Sequence, residues 1–298
     1  MTKTKHNLRE TLLNCIHKLR SQVRASNYKG GTRSISCPAG YSPVFVDKFE
    51  SSLNQENWRY GQPWGDFHQN DLYQYYDTDG RFAYTSPEGL ILELRNVPKT
   101  YTKSELPDWR QSPQMPDVFT IPTGIGMVTT RNGWQYGWFE SWIQLPYGQS
   151  YWPAFWLTGI NSWPPEIDIL EAYSDQSPDY SKKQILGKTS RIQPNLHYGV
   201  VGDGTKEMYG SYDVAVADCT DRLVQYVCHW EKDFIRIYYD GALVFETTDQ
   251  KILKWYNGER DQMMVVLNHG RTEKQPSSNG LPDESAMIIR SFSVSQKS

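Results

Sequence analysis

The hydrophobic pattern of the chain changes period near residue 33. In residues 1–33, Leu8, Leu12, Ile16, Leu19 and Val23 recur at steps of four, four, three and four, which predicts one apolar stripe along a helix of about four to five turns. Residues 27–36, with Gly30-Gly31 inside them, read as a linker. From Val44 the pattern becomes strand-like. Residues 44–49, 89–95, 138–145, 151–157, 166–171, 193–200, 223–230, 234–239, 242–247, 263–267 and 287–294 each predict a strand, and Asp240-Gly241 turns two of them into a hairpin. Residues 96–122, rich in Pro, Lys and Asp, predict a long surface loop of the kind that walls a cleft. Many short strands without βαβ alternation predict an all-β fold, a sandwich of two stacked antiparallel sheets with an N-terminal helical extension. The chain thus divides into 1–33, extension and linker, and 34–298, the sandwich.

Charge alters this picture mainly at the N-terminus. Against Glu10 stand Lys3, Lys5, Arg9, Lys18, Arg20, Arg24, Lys29 and Arg33, so the predicted helix is basic and amphipathic. It either packs on its own domain or docks a partner or a membrane surface. It lacks the continuous apolar stretch and small-residue cleavage site of a secretory signal. No apolar run in the 298 residues is long enough to span a membrane, and a formal net charge of -3 argues against nucleic acid as a partner. Cys15, Cys37, Cys219 and Cys228 have no metal-like spacing and read as reduced thiols. A sandwich core consumes some of the eleven Trp and twenty Tyr, and their flat amphipathic rings also suit the apolar faces of sugars.

Candidate chemistry concentrates in Trp163-Pro164-Pro165-Glu166-Ile167-Asp168-Ile169-Leu170-Glu171. On a strand, Glu166 and Asp168 share one face and Ile167 and Ile169 the other, while Glu171 has the wrong parity. A β-bulge near Ile169 and Leu170 inserts one extra residue and returns Glu171 to the acidic face. Three carboxylates on one surface repel one another, and such crowding marks chemistry more often than structure. Retaining hydrolysis of a glycosidic bond needs a carboxylate nucleophile and a carboxylic acid about 5 to 5.5 Å apart, and like charges push the two acidities apart so that one ionises while the other keeps its proton. The strand over 138–145 adds a face made of Trp138, Glu140, Trp142 and Gln144, a mixed aromatic and acidic surface that reads as part of a sugar cleft.

The Glu-x-Asp-x-x-Glu pattern resembles the bulged signature of glycoside hydrolase family 16, which includes laminarinases, agarases and carrageenases. Residues 136–140, Leu145-Pro146 and Trp152-Pro153-Ala154-Phe155-Trp156-Leu157 are similar to the family's run before that signature, and Asn195-Leu196-His197 to an element after it. The likeness spans about residues 44–270. It implies a jelly roll with a concave substrate-binding sheet, and an endo-acting retaining β-glycanase with Glu166 as nucleophile, Glu171 as acid/base and Asp168 tuning Glu166. By the same resemblance Asn70, Trp152, Trp163 and His197 bind the polysaccharide, with His197 donating on the leaving-group side or tuning Glu171.

Three departures stand out. Trp142 replaces a common arginine, Pro165 replaces the glycine before the first glutamate, and Arg290 falls where members that hold a structural calcium often carry Asp. No metal and no cofactor is therefore expected. The aromatic run favours a β-1,3- or mixed-linkage β-1,3-1,4-glucan; Trp142 and Pro165 keep a β-galactan open. A non-catalytic carbohydrate-binding sandwich and a transglycosylase are the other readings. The substrates are extracellular, and with no signal peptide in the sequence, secretion with a separate leader and release with a virus or phage both stay open.

Overall fold

The computed structural model describes residues 34–298 except 64, 66–72, 107, 109, 110, 112, 114, 149, 174–190, 201–206, 210–213, 216–218, 259–261 and 273–283. The helix expected over residues 8–23 and the candidate ligand Asn70 lie outside the described residues. Among those described, no helix is long and apolar enough to cross a membrane.

Two sheets face each other. Sheet I runs in the order Ala242–Thr247, Phe234–Tyr239, Val224–Glu231, Gly137–Gln144, Ser285–Lys297, Gly89–Arg95, Thr123–Ile125 and Gln74–Tyr76. Tyr41–Asp47 joins it along Ser285–Lys297, and Ala83–Ser86 along Gly89–Arg95. Sheet II runs Glu207–Tyr209, Arg191–Tyr198, Glu166–Tyr173, Ala154–Gly159, Met263–Asn268, Met127–Thr130 and Trp58–Tyr60. Pairing is antiparallel except between Gln74–Tyr76 and Thr123–Ile125. Jelly-roll topology shows in the chain's repeated crossing between sheets. Gly137–Gln144 lies in sheet I and the next strand, Ala154–Gly159, in sheet II.

Alternation along the strands builds the core. Phe139, Ile143, Phe292 and Val294 from sheet I meet Phe155, Leu157, Ile167, Leu196, Val265 and Leu267 from sheet II, all fully or almost fully buried. The Phe155 and Phe292 rings meet edge-on across the interface, 6.0 Å apart. Truncating such a side chain to Ala costs about 3–5 kcal/mol. Each strand also has a face turned out of the sandwich, and on sheet II that face carries the acidic residues.

The segment read as a loop over 96–122 is partly regular. Lys99–Thr102 and Val118–Ile121 pair as a two-stranded ribbon, and Tyr101, Leu106 and Ile121 form a small cluster with Tyr75 and Phe82. Its high Pro and Lys content concealed the β-branched and aromatic residues that pin the ribbon down.

Candidate active site

Register in sheet II decides where the carboxylates point. Thr158 pairs with Glu166, Leu157 with Ile167 and Trp156 with Asp168, but the next pairs are Phe155 with Leu170 and Ala154 with Glu171. On the other side, Asp168 pairs with Asn195 and Glu171 with Gln193. Glu166–Tyr173 therefore holds one more residue than either neighbour between Asp168 and Glu171. Ile169 and Leu170 are both fully buried, and Glu171 regains the outward face. The extra residue interrupts the ladder locally, and sheet I supplies a partner there: the Tyr239 hydroxyl donates to the Ile169 carbonyl at 2.8 Å. A second buried phenol, Tyr256, shares its one hydroxyl proton between the backbone carbonyls of His197 (2.8 Å) and Glu166 (3.1 Å), tying the two strands together beneath the site.

Each glutamate has its own set of donors. Trp163 Nε1 donates to Glu166 Oε2 at 2.8 Å. Trp152 Nε1 and the Tyr173 hydroxyl both donate to Glu171 Oε1, at 3.1 and 3.2 Å, and their rings stack at 5.9 Å. His197 Nε2 lies 3.2 Å from Glu166 Oε1 and 3.3 Å from Asp168 Oδ2. Asp168 is only 3% exposed, and its Oδ2 makes no hydrogen bond. No lysine or arginine forms an ion pair with any of the three among the described residues.

These surroundings move all three acidities upward. Burial raises Glu166 well above the ordinary glutamate range and the neighbouring Asp168 charge adds to it, while His197 and the Trp163 indole pull it back. Asp168 is raised by burial and by the Glu171 charge. Glu171 is raised by burial and lowered by His197, Tyr173, Trp152 and Asn195. The site thus favours fewer than three negative charges, which is the condition for one carboxyl group to serve as acid while another serves as nucleophile.

Of the residues read from the sequence, Glu166, Asp168, Glu171, Trp152, Trp163 and His197 come together here. His197 pairs with Glu166 across the strands and touches Glu166 and Asp168, and its charge also lowers the Glu171 pKa, as the tuning role expected for it requires. Trp138, Glu140 and Trp142 do not join the site. Their strand belongs to sheet I, and their side chains lie on its outer face, opposite Phe139 and Ile143 of the core. Both indoles donate to Glu140, at 2.9 and 3.1 Å, and Trp138 packs on His229 and Tyr238. Period-two reading separates the two faces of a strand but does not say which sheet the strand enters. Tyr173, Asn195 and Trp156 went unread as site residues. Parity offered a signal for the first, two positions beyond Glu171, and for Trp156, which pairs with Asp168 and donates to Asn268 Oδ1 at 2.8 Å.

The sequence profile of Glycosyl hydrolases family 16 matches residues 70–280. An endo-1,3-1,4-β-glycanase, ExsH, of Rhizobium meliloti (strain 1021) is 30% identical over 167 residues, 55% of this chain and 31% of that protein. A glucan endo-1,3-β-glucosidase A1 of Niallia circulans is 24% identical over 249 residues, 76% of this chain and 32% of that protein. The chain therefore matches about a third of the length of these two relatives. Among solved structures, the catalytic domain of an endo-1,3-β-glucanase (laminarinase) from Thermotoga petrophila RKU-1 superposes with a TM-score of 0.62 at 19% identity, covering 86% of this chain and 98% of that one. A structure from work on endo-acting O-glycanases of the human gut microbiota that initiate mucin breakdown superposes with a TM-score of 0.68 at 22% identity, covering 89% and 93%. With the profile matching well over half of its residues, this chain belongs to glycosyl hydrolases family 16.

Proposed function

We propose that the protein is an endo-acting, retaining β-glycanase that hydrolyses β-1,3- or mixed-linkage β-1,3-1,4-glucan. The observation that carries this reading is the outward-facing trio Glu166, Asp168 and Glu171, each glutamate held by its own indole donor. In the first step Glu166 Oε1, the oxygen not engaged by Trp163, attacks the anomeric carbon. Glu171, in its protonated form, gives its proton to the departing glycosidic oxygen. In the second step Glu171 takes a proton from water, whose oxygen displaces Glu166 from the covalent intermediate. Asp168, buried beside Glu166, positions the nucleophile and sets its charge.

The names of the two bacterial relatives support glucan as the substrate class. One of the two arguments for a β-galactan also weakens, because Trp142 stands on the outer face of sheet I, away from the carboxylates. Its departure from the family's arginine therefore carries no information about substrate. A purely sugar-binding role leaves unexplained a set of buried like charges that costs stability.

The test is reducing-end release from laminarin, mixed-linkage β-glucan, agarose, carrageenan and mucin, with the Glu166→Gln protein as control. Cleavage of laminarin or mixed-linkage glucan that disappears in the variant is the expected result. Cleavage of agarose, carrageenan or mucin alone refutes the substrate assignment, and unchanged turnover in Glu166→Gln refutes the mechanism.

A further inference from the structure

The same corner of the site has a property that glycoside hydrolysis does not need. Asn195 Oδ1 accepts the Leu196 backbone N–H at 3.0 Å, so the Asn195 amide turns its NH2 toward His197 Nε2, 3.2 Å away. In its unprotonated form Nε2 offers a single lone pair, and a cation that takes it displaces the Asn195 contact; Nε2 lies 3.2 Å from Glu166 Oε1 and 3.3 Å from Asp168 Oδ2. Three electron-pair donors therefore converge, with Asp168 Oδ2 buried and lacking a hydrogen bond. Glu166 contributes Oε1, because its Oε2 is held by Trp163.

We infer that Glu166, Asp168 and His197 form a preorganised site for a zinc-type divalent cation, and that its occupation blocks the nucleophile. The distances support this. A tetrahedral zinc site with bonds of about 2.0–2.1 Å has edges of about 3.3–3.4 Å. Two edges of the present triangle are already 3.2 and 3.3 Å. The three donor atoms lie within 4.8 Å of one another, so closing the last edge takes only small side-chain adjustments. One imidazole and two carboxylates suit Zn2+ or Cu2+, whereas Ca2+ and Mg2+ require six or more oxygen ligands. A bound cation supplies positive charge that no lysine or arginine provides to this trio among the described residues, and it ties up the Glu166 oxygen that faces the sugar. His197 Nδ1 makes no hydrogen bond, so the outer support that raises the affinity of a ligating histidine is missing.

Calorimetric titration of the full chain with ZnCl2, with CaCl2 and MgCl2 as controls, tests the inference. The expected result is about one equivalent of Zn2+ bound to wild type and affinity lowered by about tenfold or more in both His197→Gln and Asp168→Asn, with no binding of Ca2+ or Mg2+. No Zn2+ binding to wild type, or affinity in the two variants unchanged from wild type, overturns it. Should His197→Gln fail to fold, Asp168→Asn decides, together with Co2+ added to wild type. A four-coordinate visible spectrum that excess Zn2+ abolishes supports the site, and a six-coordinate spectrum overturns it. Because calorimetry does not depend on turnover, a protein that binds Zn2+ but cleaves no glucan refutes only the proposed function. One that cleaves glucan without binding Zn2+ refutes only this inference.

Discussion

Replacing Asp168 by Asn removes one member of the crowded carboxylate set while keeping its shape, and the consequence is a stability change that depends on pH. Donor oxygens of Glu166 and Asp168 lie within 4.8 Å of each other. Two unit charges at that separation repel by about 3.5 kcal/mol at an effective dielectric of about 20. Both groups have folded-state acidities raised by burial and by neighbouring charge. Their contribution to stability is therefore fully present below the unfolded acidity, about pH 4, and is lost as pH rises through the folded values. Keeping the Asp168 proton on at about pH 8 costs about 1.4 kcal/mol for each pH unit above that range. Ionising Asp168 instead meets this repulsion on top of the desolvation of a buried carboxylate, so about 3.5 kcal/mol is the part of the penalty that the Glu166 charge sets. For a domain of this size, 1 kcal/mol moves Tm by about 2–4 °C. Asp168→Asn is thus expected to melt about 7–14 °C higher than wild type at about pH 8, and within about 2 °C of it at about pH 4.5. Thermal unfolding followed by circular dichroism at the two pH values measures the difference. An equal offset at both, or a variant less stable than wild type only at the higher pH, refutes the reasoning.

Four further outcomes follow from the geometry. Trp152→Phe keeps the ring but removes an N–H donor to Glu171; the Glu171 acidity weakens further, and the alkaline limb of the kcat/KM profile moves up by about one pH unit. Tyr239→Phe leaves the Ile169 carbonyl without its donor in the interior and lowers stability by about 1–3 kcal/mol in urea unfolding; no loss there would mean that the extra residue needs no support from sheet I. Trp142→Ala, on the outer face of sheet I, leaves kcat/KM on glucan within about twofold of wild type, where a cleft residue that stacks on sugar costs about 1–3 kcal/mol. Glu171→Gln slows turnover by about 10²–10⁴-fold on substrates with poor leaving groups, and much less on an activated aryl glycoside that leaves without a proton, a contrast that steady-state kinetics on the two substrates reads directly.

Local pattern alone determined much of this protein. Alternation along single strands fixes which residues enter the core, and it places Ile167 inward and Glu166 and Asp168 outward without any knowledge of the fold. The carboxylate trio was legible because its members lie within six residues, where one extra residue suffices to bring the third into line. The sequence did not reveal which sheet each strand enters. Gly137–Gln144 and Ala154–Gly159 have similar aromatic alternation, yet the first lies in sheet I and turns Trp138, Glu140 and Trp142 away from the site. The second lies beside the carboxylates and sets Trp156 against Asp168. That choice rests on long-range pairing between residues as distant as Gln144 and Ile288, whose energy comes from side chains remote in sequence. The same holds for Tyr239 and Tyr256, which support the carboxylate-bearing strand from beneath. A hydroxyl in a buried position declares that it needs an acceptor, but only the packed structure supplies which one.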